Sequence, residues 1–169
     1  MSMKVSQFNT LDKTEKGILL EQCCGSKTWI SKMLEEKLPE EEDRLLKTAE
    51  EKWYACSEED WKEAFLHHPK IGDKETLRKK FSKDRFASGE QSSVNIATEE
   101  TLEALAQGNK EYEEKFGYIF IVCATGKSAD EMLAILQSRL PNDPEKEIKI
   151  AMEEQNKITR LRLQKLFEL

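Results

Sequence analysis

Residues 98–117 read Thr-Glu-Glu-Thr-Leu-Glu-Ala-Leu-Ala-Gln-Gly-Asn-Lys-Glu-Tyr-Glu-Glu-Lys-Phe-Gly. Leu102, Leu105, Asn109, Tyr112 and Phe116 recur at steps of 3, 4, 3 and 4, which is one face of a helix. Thr98 stands where an N-cap hydroxyl belongs, and Gly117 where the chain must leave the helix. Toward the C-terminus, Tyr118 to Val122 has strand composition but no second run to pair with, so it reads as a buried connector, extended or helical. Ser128-Ala129-Asp130-Glu131 has capping-box spacing for a helix to about Arg139-Leu140. Asp143-Pro144 puts Asp at N-cap and Pro at the first position of a last helix. Toward the N-terminus, Asp73 caps a short helix to about Phe81, and residues 82–96 read as a long polar loop. Ser57 to Asp60 caps a helix with Trp61, Ala64 and Phe65 inward. Before it, about Glu40 to Ala55 carries Leu45, Leu46, Ala49 and Trp53, and Ser26 opens a helix with Trp29, Ile30, Met33 and Leu34. Asn9 or Thr10 caps the first helix, which turns Leu11, Ile18, Leu19 and Leu20 toward Cys23 and stops at Gly25.

The whole chain repeats this grammar. It has 169 residues with only seven Gly and four Pro, few enough turn formers for a mostly helical protein. The expectation is a single all-α domain over residues 1–169: a bundle of about seven to ten helices with no significant sheet. Acidic residues number 33 against 27 basic ones, a net charge of −6, which argues against a nucleic-acid partner. Residues 1–9 lack the apolar core of a signal peptide, and the longest apolar run, Tyr118 to Ala124, is too short to cross a bilayer. Cys23, Cys24, Cys56 and Cys123 form no CxxC pair and read as small buried hydrophobes. A soluble cytoplasmic protein without membrane contact is expected.

Four places fit a plain bundle poorly. His68 falls on the inward face of Trp61 and Phe65 if the helix reaches it, with His67 turned away; it is either a helix-ending structural residue or an acid–base group. Two adjacent histidines without HxxxH or HExxH spacing make a metal site unexpected. Glu90 sits in the polar loop with Gly89 before it and Ser88, Ser92 and Ser93 around it; it is either a solvated carboxylate or a site residue. Arg162 interrupts the last helix's stripe of Ile148, Ala151, Gln155, Ile158 and Leu166, so its guanidinium either reaches solvent or meets an anion. Asn109 shares an apolar face and must find partners, in a neighbouring loop backbone or in a substrate.

The stretches His68-Pro69-Lys70-Ile71-Gly72, Glu90-Gln91 and Phe116 to Ile121 together resemble the OHCU decarboxylase family, whose members act on 2-oxo-4-hydroxy-4-carboxy-5-ureidoimidazoline. Leu105 to Tyr112, Arg139-Leu140 with Asn142, and Arg162-Leu163 extend the resemblance over nearly the whole chain. It implies a helical, cofactor-free carboxy-lyase, usually a homodimer, that forms (S)-allantoin from a small-molecule substrate. It implies His68, Glu90 and Arg162 as the catalytic set. It further implies substrate contacts from Pro69, from Ala87, Ser88, Gly89 and Gln91, and from Phe120, Ile121, Val122, Cys123 and Ala124. Three positions depart from the family pattern: a second histidine at His67, Lys70 where Arg is common, and Ala87 where a hydroxyl residue is frequent.

The chemistry implied fits the absence of cofactor signatures in the sequence. A carboxylate beta to a ring C=N carries its own electron sink. Loss of CO2 leaves an enol-like species, and a proton delivered to the ureido-bearing carbon, by His68 on this reading, sets the stereocentre. Glu90 would hold the imidazole or the substrate hydroxyl, and Arg162 would bind the anionic side. The competing readings are a non-catalytic helical binding module, a re-purposed decarboxylase-like protein, and an enzyme with Cys123 as nucleophile.

Overall fold

A computed structural model describes residues 2–70, 73–87 and 98–169, with the backbone alone for 82–87. Among the described residues there are nine α-helices and no strand. They are α1 (Val5–Phe8), α2 (Lys13–Cys23), α3 (Lys27–Met33), α4 (Glu42–Tyr54), α5 (Glu58–Leu66), α6 (Lys74–Ala87), α7 (Glu99–Phe116), α8 (Ala129–Arg139) and α9 (Pro144–Leu166). None of these helices is long and apolar enough to cross a membrane. The fold divides into two compact units, Met1–His68 with Ile150–Leu169, and Pro69–Lys149.

The first unit is built around tryptophans. α3 packs on α2, α4 and α5 and buries Trp29 and Met33. A buried indole must place its N–H on an acceptor. Trp29 donates to the Ala49 carbonyl at 3.1 Å, Trp53 to the Met152 carbonyl at 2.9 Å, and Trp61 to the Trp53 carbonyl at 3.0 Å. Each bond ties one helix to the backbone of another or closes a turn, so these rings fix register as well as volume.

The helix starts are set by caps. Ser26, Ser57, Thr98 and Ser128 each accept from the backbone N–H three residues on. α2 corrects the expected start. Asp12 caps it in a reciprocal box with Glu15, because a carboxylate outcompetes the side chains of Asn9 and Thr10 at a helix N-terminus. Asn9 instead grips the Leu38 backbone, donating to its carbonyl at 2.9 Å and accepting from its N–H at 3.0 Å. Ile18, expected inward, is 56% exposed, whereas Leu20 and Cys23 are buried.

In the second unit α7 packs on α6 and α8. Gly108 lets α8 approach: a Cβ there would lie 2.6 Å from Cδ2 of Leu136. Gly117 ends α7 at φ +82, the left-handed cap that glycine adopts freely. α6 runs on to Ala87, past the Phe81 end expected from the sequence. Its second half, from Phe81 to Ala87, mixes the helix formers Lys83, Arg85 and Ala87 with Ser82 and Asp84 and shows little apolar period to read. The connector 118–124 is neither helix nor strand, and it buries Tyr118, Ile121 and Cys123.

Candidate functional site

α5 stops at Leu66, short of His68. His67 is its C-cap, and the His68 N–H still reaches the Phe65 carbonyl at 3.3 Å. The expected facing survives: His68 is half-buried and His67 is exposed. Gly25 is the floor of this turn. A Cβ at residue 25 would fall 2.2 Å from Cγ of His67, so only glycine lets α2 hand over to α3 beneath that ring.

The His68 ring meets α9. Its Nε2 hydrogen-bonds Oε1 of Gln155, and the Gln155 amide N–H donates to Thr159 Oγ1 at 3.0 Å. Burial holds the His68 pKa below the ordinary imidazole value; the Gln155 contact opposes this, and the charges of Arg162 and His67 reinforce it. The imidazole is therefore neutral near pH 7. Arg162, two turns after Gln155 on the same face of α9, is half-buried and makes one long hydrogen bond, from Nη1 to the Cys23 carbonyl at 3.4 Å. Among the described residues it has no carboxylate partner. The arrangement offers a neutral proton acceptor and, along one helix face, a cation with capacity for an anion.

In the second unit, Pro69, Phe120, Val122 and Ala124 line one cavity of about 80 Å³, together with Lys80 and Asn109. Asn109 thus stands at a cavity wall. A wider groove of about 600 Å³ lies along α7; of its three lysines, Lys70 and Lys74 are held by Glu113 and Glu103 at 3.1 and 2.7 Å. The smaller cavity is the better candidate for substrate contact, because its walls hold Pro69, Phe120, Val122 and Ala124, whereas of these the wider groove takes in Phe120 alone.

That connector is held by a buried network the sequence reading did not foresee. Arg139 and Glu147 are 5% and 0% exposed. Arg139 donates through Nε and Nη2 to Glu147 at 2.9 and 2.6 Å and through Nη1 to the Ile121 carbonyl at 2.7 Å. Its guanidinium lies 4.6 Å from the Phe120 ring centre. Tyr112 donates to Glu147, and Asn142 adds a bond to its other oxygen at 3.1 Å. Burial and the neighbouring carboxylate push the Tyr112 phenol pKa up, so it serves as a donor. Arg139, Glu147 and also Glu154 are buried, whereas Arg162, the basic residue singled out from the sequence, is half-buried. A signal existed. Ala129, Met132, Leu136 and Arg139 follow steps of 3, 4 and 3, so Arg139 closes the inward stripe of α8.

Glu90, Ser88, Gly89 and Gln91 lie outside the described residues, and Ala87 is described only as the end of α6. All four cysteines are buried and none is in a disulfide. Among the described residues, no three His, Cys, Asp or Glu side chains gather as a metal site requires.

Fold and site together define a class: among the described residues, an all-α protein in which a neutral imidazole meets the last helix and a guanidinium on that helix has no carboxylate partner. The chain belongs to the OHCU decarboxylase family, whose model matches residues 9–164. The uric acid degradation bifunctional protein TTL of Arabidopsis thaliana is 39% identical over 147 residues, covering 86% of this chain and 45% of that protein. The 2-oxo-4-hydroxy-4-carboxy-5-ureidoimidazoline decarboxylase of Amia calva is 31% identical over 103 residues, 60% of this chain and 58% of the relative. The chain spans about half the length of these curated relatives. A crystal structure of OHCU decarboxylase in the presence of (S)-allantoin is 36% identical, with a TM-score of 0.71 over 88% of this chain and 96% of that one. A crystal structure of (S)-allantoin synthase, 19% identical, shares the fold at a TM-score of 0.72 over 97% of this chain and 54% of that one.

Proposed function

We propose that this chain is a cofactor-independent carboxy-lyase that converts 2-oxo-4-hydroxy-4-carboxy-5-ureidoimidazoline to (S)-allantoin, and that its two units act as one domain. The observation that carries this reading is the family match over residues 9–164, which takes in His68, Pro69, the connector and Arg162. His68, Glu90 and Arg162 form the catalytic set. Pro69, Ala87, Ser88, Gly89 and Gln91, with Phe120 to Ala124, bind the substrate.

The carboxylate leaves as CO2, and its bond electrons pass into the ring C=N, which takes up a proton. A neutral His68 then accepts the proton of the resulting enol and returns it to the ureido-bearing carbon, which fixes the stereocentre. Arg162 holds the anionic side of the substrate before CO2 leaves. A rigid connector suits the ring and ureido group, because its backbone groups are oriented before substrate arrives. The same reading makes the protein a cytoplasmic homodimer. Four buried thiols suit a reducing compartment, and sedimentation of the purified chain reads the dimer.

The test is circular dichroism of allantoin formed from freshly made substrate. The spontaneous product is racemic, so a rate gain with an excess of the S form is expected. His68→Ala abolishes that excess while His67→Ala retains most of it; Arg162→Ala raises KM at least tenfold. Racemic product at the spontaneous rate overturns the assignment.

A further inference from the structure

Gln155 is 1% exposed and Thr159 is 3% exposed, deep for an amide and a hydroxyl on a helix face. The proposed chemistry does not use either. Their hydrogen bonds run in one direction. The Thr159 hydroxyl donates to the Cys24 sulfur, which leaves its oxygen to accept from the Gln155 amide N–H at 3.0 Å and turns the amide carbonyl oxygen toward His68. An amide oxygen only accepts. Nε2 of His68, which faces that oxygen, must therefore carry a hydrogen.

We propose that Gln155 is a positioning residue that locks His68 in the Nε2–H tautomer and leaves Nδ1 as the only ring nitrogen able to exchange a proton with substrate. The inference rests on His68 as the proton-transfer group and adds which atom does the work. Thr159 is the second member of the relay, since it decides which end of the amide His68 meets. A neutral imidazole with no such partner divides between two tautomers, and a ring that presents N–H to the wrong side cannot act as base there. Behind Thr159 lies the Cys24 thiol, raised by burial to about 12 and so uncharged. The groups that act on His68 electrostatically are Arg162 on α9 and the neighbouring His67.

Two variants and two readouts test this. In wild-type protein labelled with ¹⁵N-histidine, long-range nitrogen–proton correlation at pH 8 should show His68 as a single Nε2–H tautomer. Gln155→Leu should give a tautomer mixture and lower kcat by about ten- to hundredfold, short of the roughly 10²–10⁴ that general acid–base catalysis supplies, with KM changed less than threefold. Gln155→Glu keeps an acceptor on Nε2, so it should keep the single tautomer, restore most of the kcat lost in Gln155→Leu, and move the His68 titration and the matching limb of the rate profile to higher pH. A carboxylate facing the ring favours its protonated form. A wild-type Nδ1–H tautomer, or a Gln155→Leu protein with unchanged tautomer and pH profile, overturns the proposal. The spectrum decides the tautomer even in a chain without decarboxylase activity, so failure of the function reading is distinguishable from failure of this one.

Discussion

Arg139 and Arg162 carry the same charge, and what faces each one separates them. Arg139 is closed in by Glu147, a backbone carbonyl and two rings, whereas Arg162, among the described residues, meets one carbonyl at 3.4 Å. Periodicity marks both as out of place on an apolar stripe, but it cannot say which has an internal partner. Glu147 comes from another helix, and that pairing is tertiary. His68 was legible for a similar reason and to a similar depth: its facing could be read from Trp61 and Phe65, its contact with Gln155 could not. The thiols make the sharpest prediction at this scale. Burial lifts Cys23 to about 11, Cys24 to about 12 and Cys56 to about 11, although the nearby Arg162 guanidinium pulls Cys23 down somewhat. Thiolate is the reacting form. Iodoacetamide at pH 8 should therefore leave these three unlabelled in the native protein and label all four thiols in guanidinium, read by mass spectrometry. Rapid native labelling of Cys24 would contradict the buried placement.

Caps made the elements legible. Ser26, Ser57, Thr98, Ser128 and Asp143 all stand at helix starts, where an oxygen three residues before an orphan N–H is a local chemical demand. The misses were α2, where two polar residues precede a better cap, and the second half of α6, whose helix rests on propensity rather than on an apolar stripe. Between elements, the Arg139–Glu147 pair joins α8 to the start of α9 and pins the connector at Ile121. Removing one member of a buried pair leaves an uncompensated charge, at a cost of about 3–5 kcal/mol. Arg139→Met should lose that much stability in urea unfolding and raise KM, because the Ile121 carbonyl loses its donor. The double variant Arg139→Met with Glu147→Leu should be more stable than Arg139→Met alone, since no charge is stranded. Equal or additive losses would mean the pair is not coupled.

Taken whole, the first unit is closed by contacts between early and late parts of the chain. The Met3 N–H donates to the Leu166 carbonyl at 2.8 Å, and the Phe8 and Phe167 rings meet edge-on at 5.2 Å, both buried. Phe167→Ala should cost about 3–5 kcal/mol. In a double-mutant cycle with Phe8→Ala, the coupling should be about 0.5–1.5 kcal/mol; strict additivity would show that the rings do not support each other. Composition alone made the all-α class readable, since few turn formers and many caps leave no other architecture. The split into two units was not, because it depends on which helices share contacts.

That split sets a calendar for every newly made chain. Pro69–Lys149 is continuous in sequence, so all of its partners are made in one stretch. Met1–His68 is made first yet waits for Ile150–Leu169, which supplies the Met152 carbonyl for Trp53 and the Gln155 amide for His68. At roughly 5–20 residues per second, the earlier-made segment spends several seconds with the Trp53 N–H and the His68 ring lacking these partners. Trp53 and His68 are thus made before the second unit, and the acceptors they bond come after it.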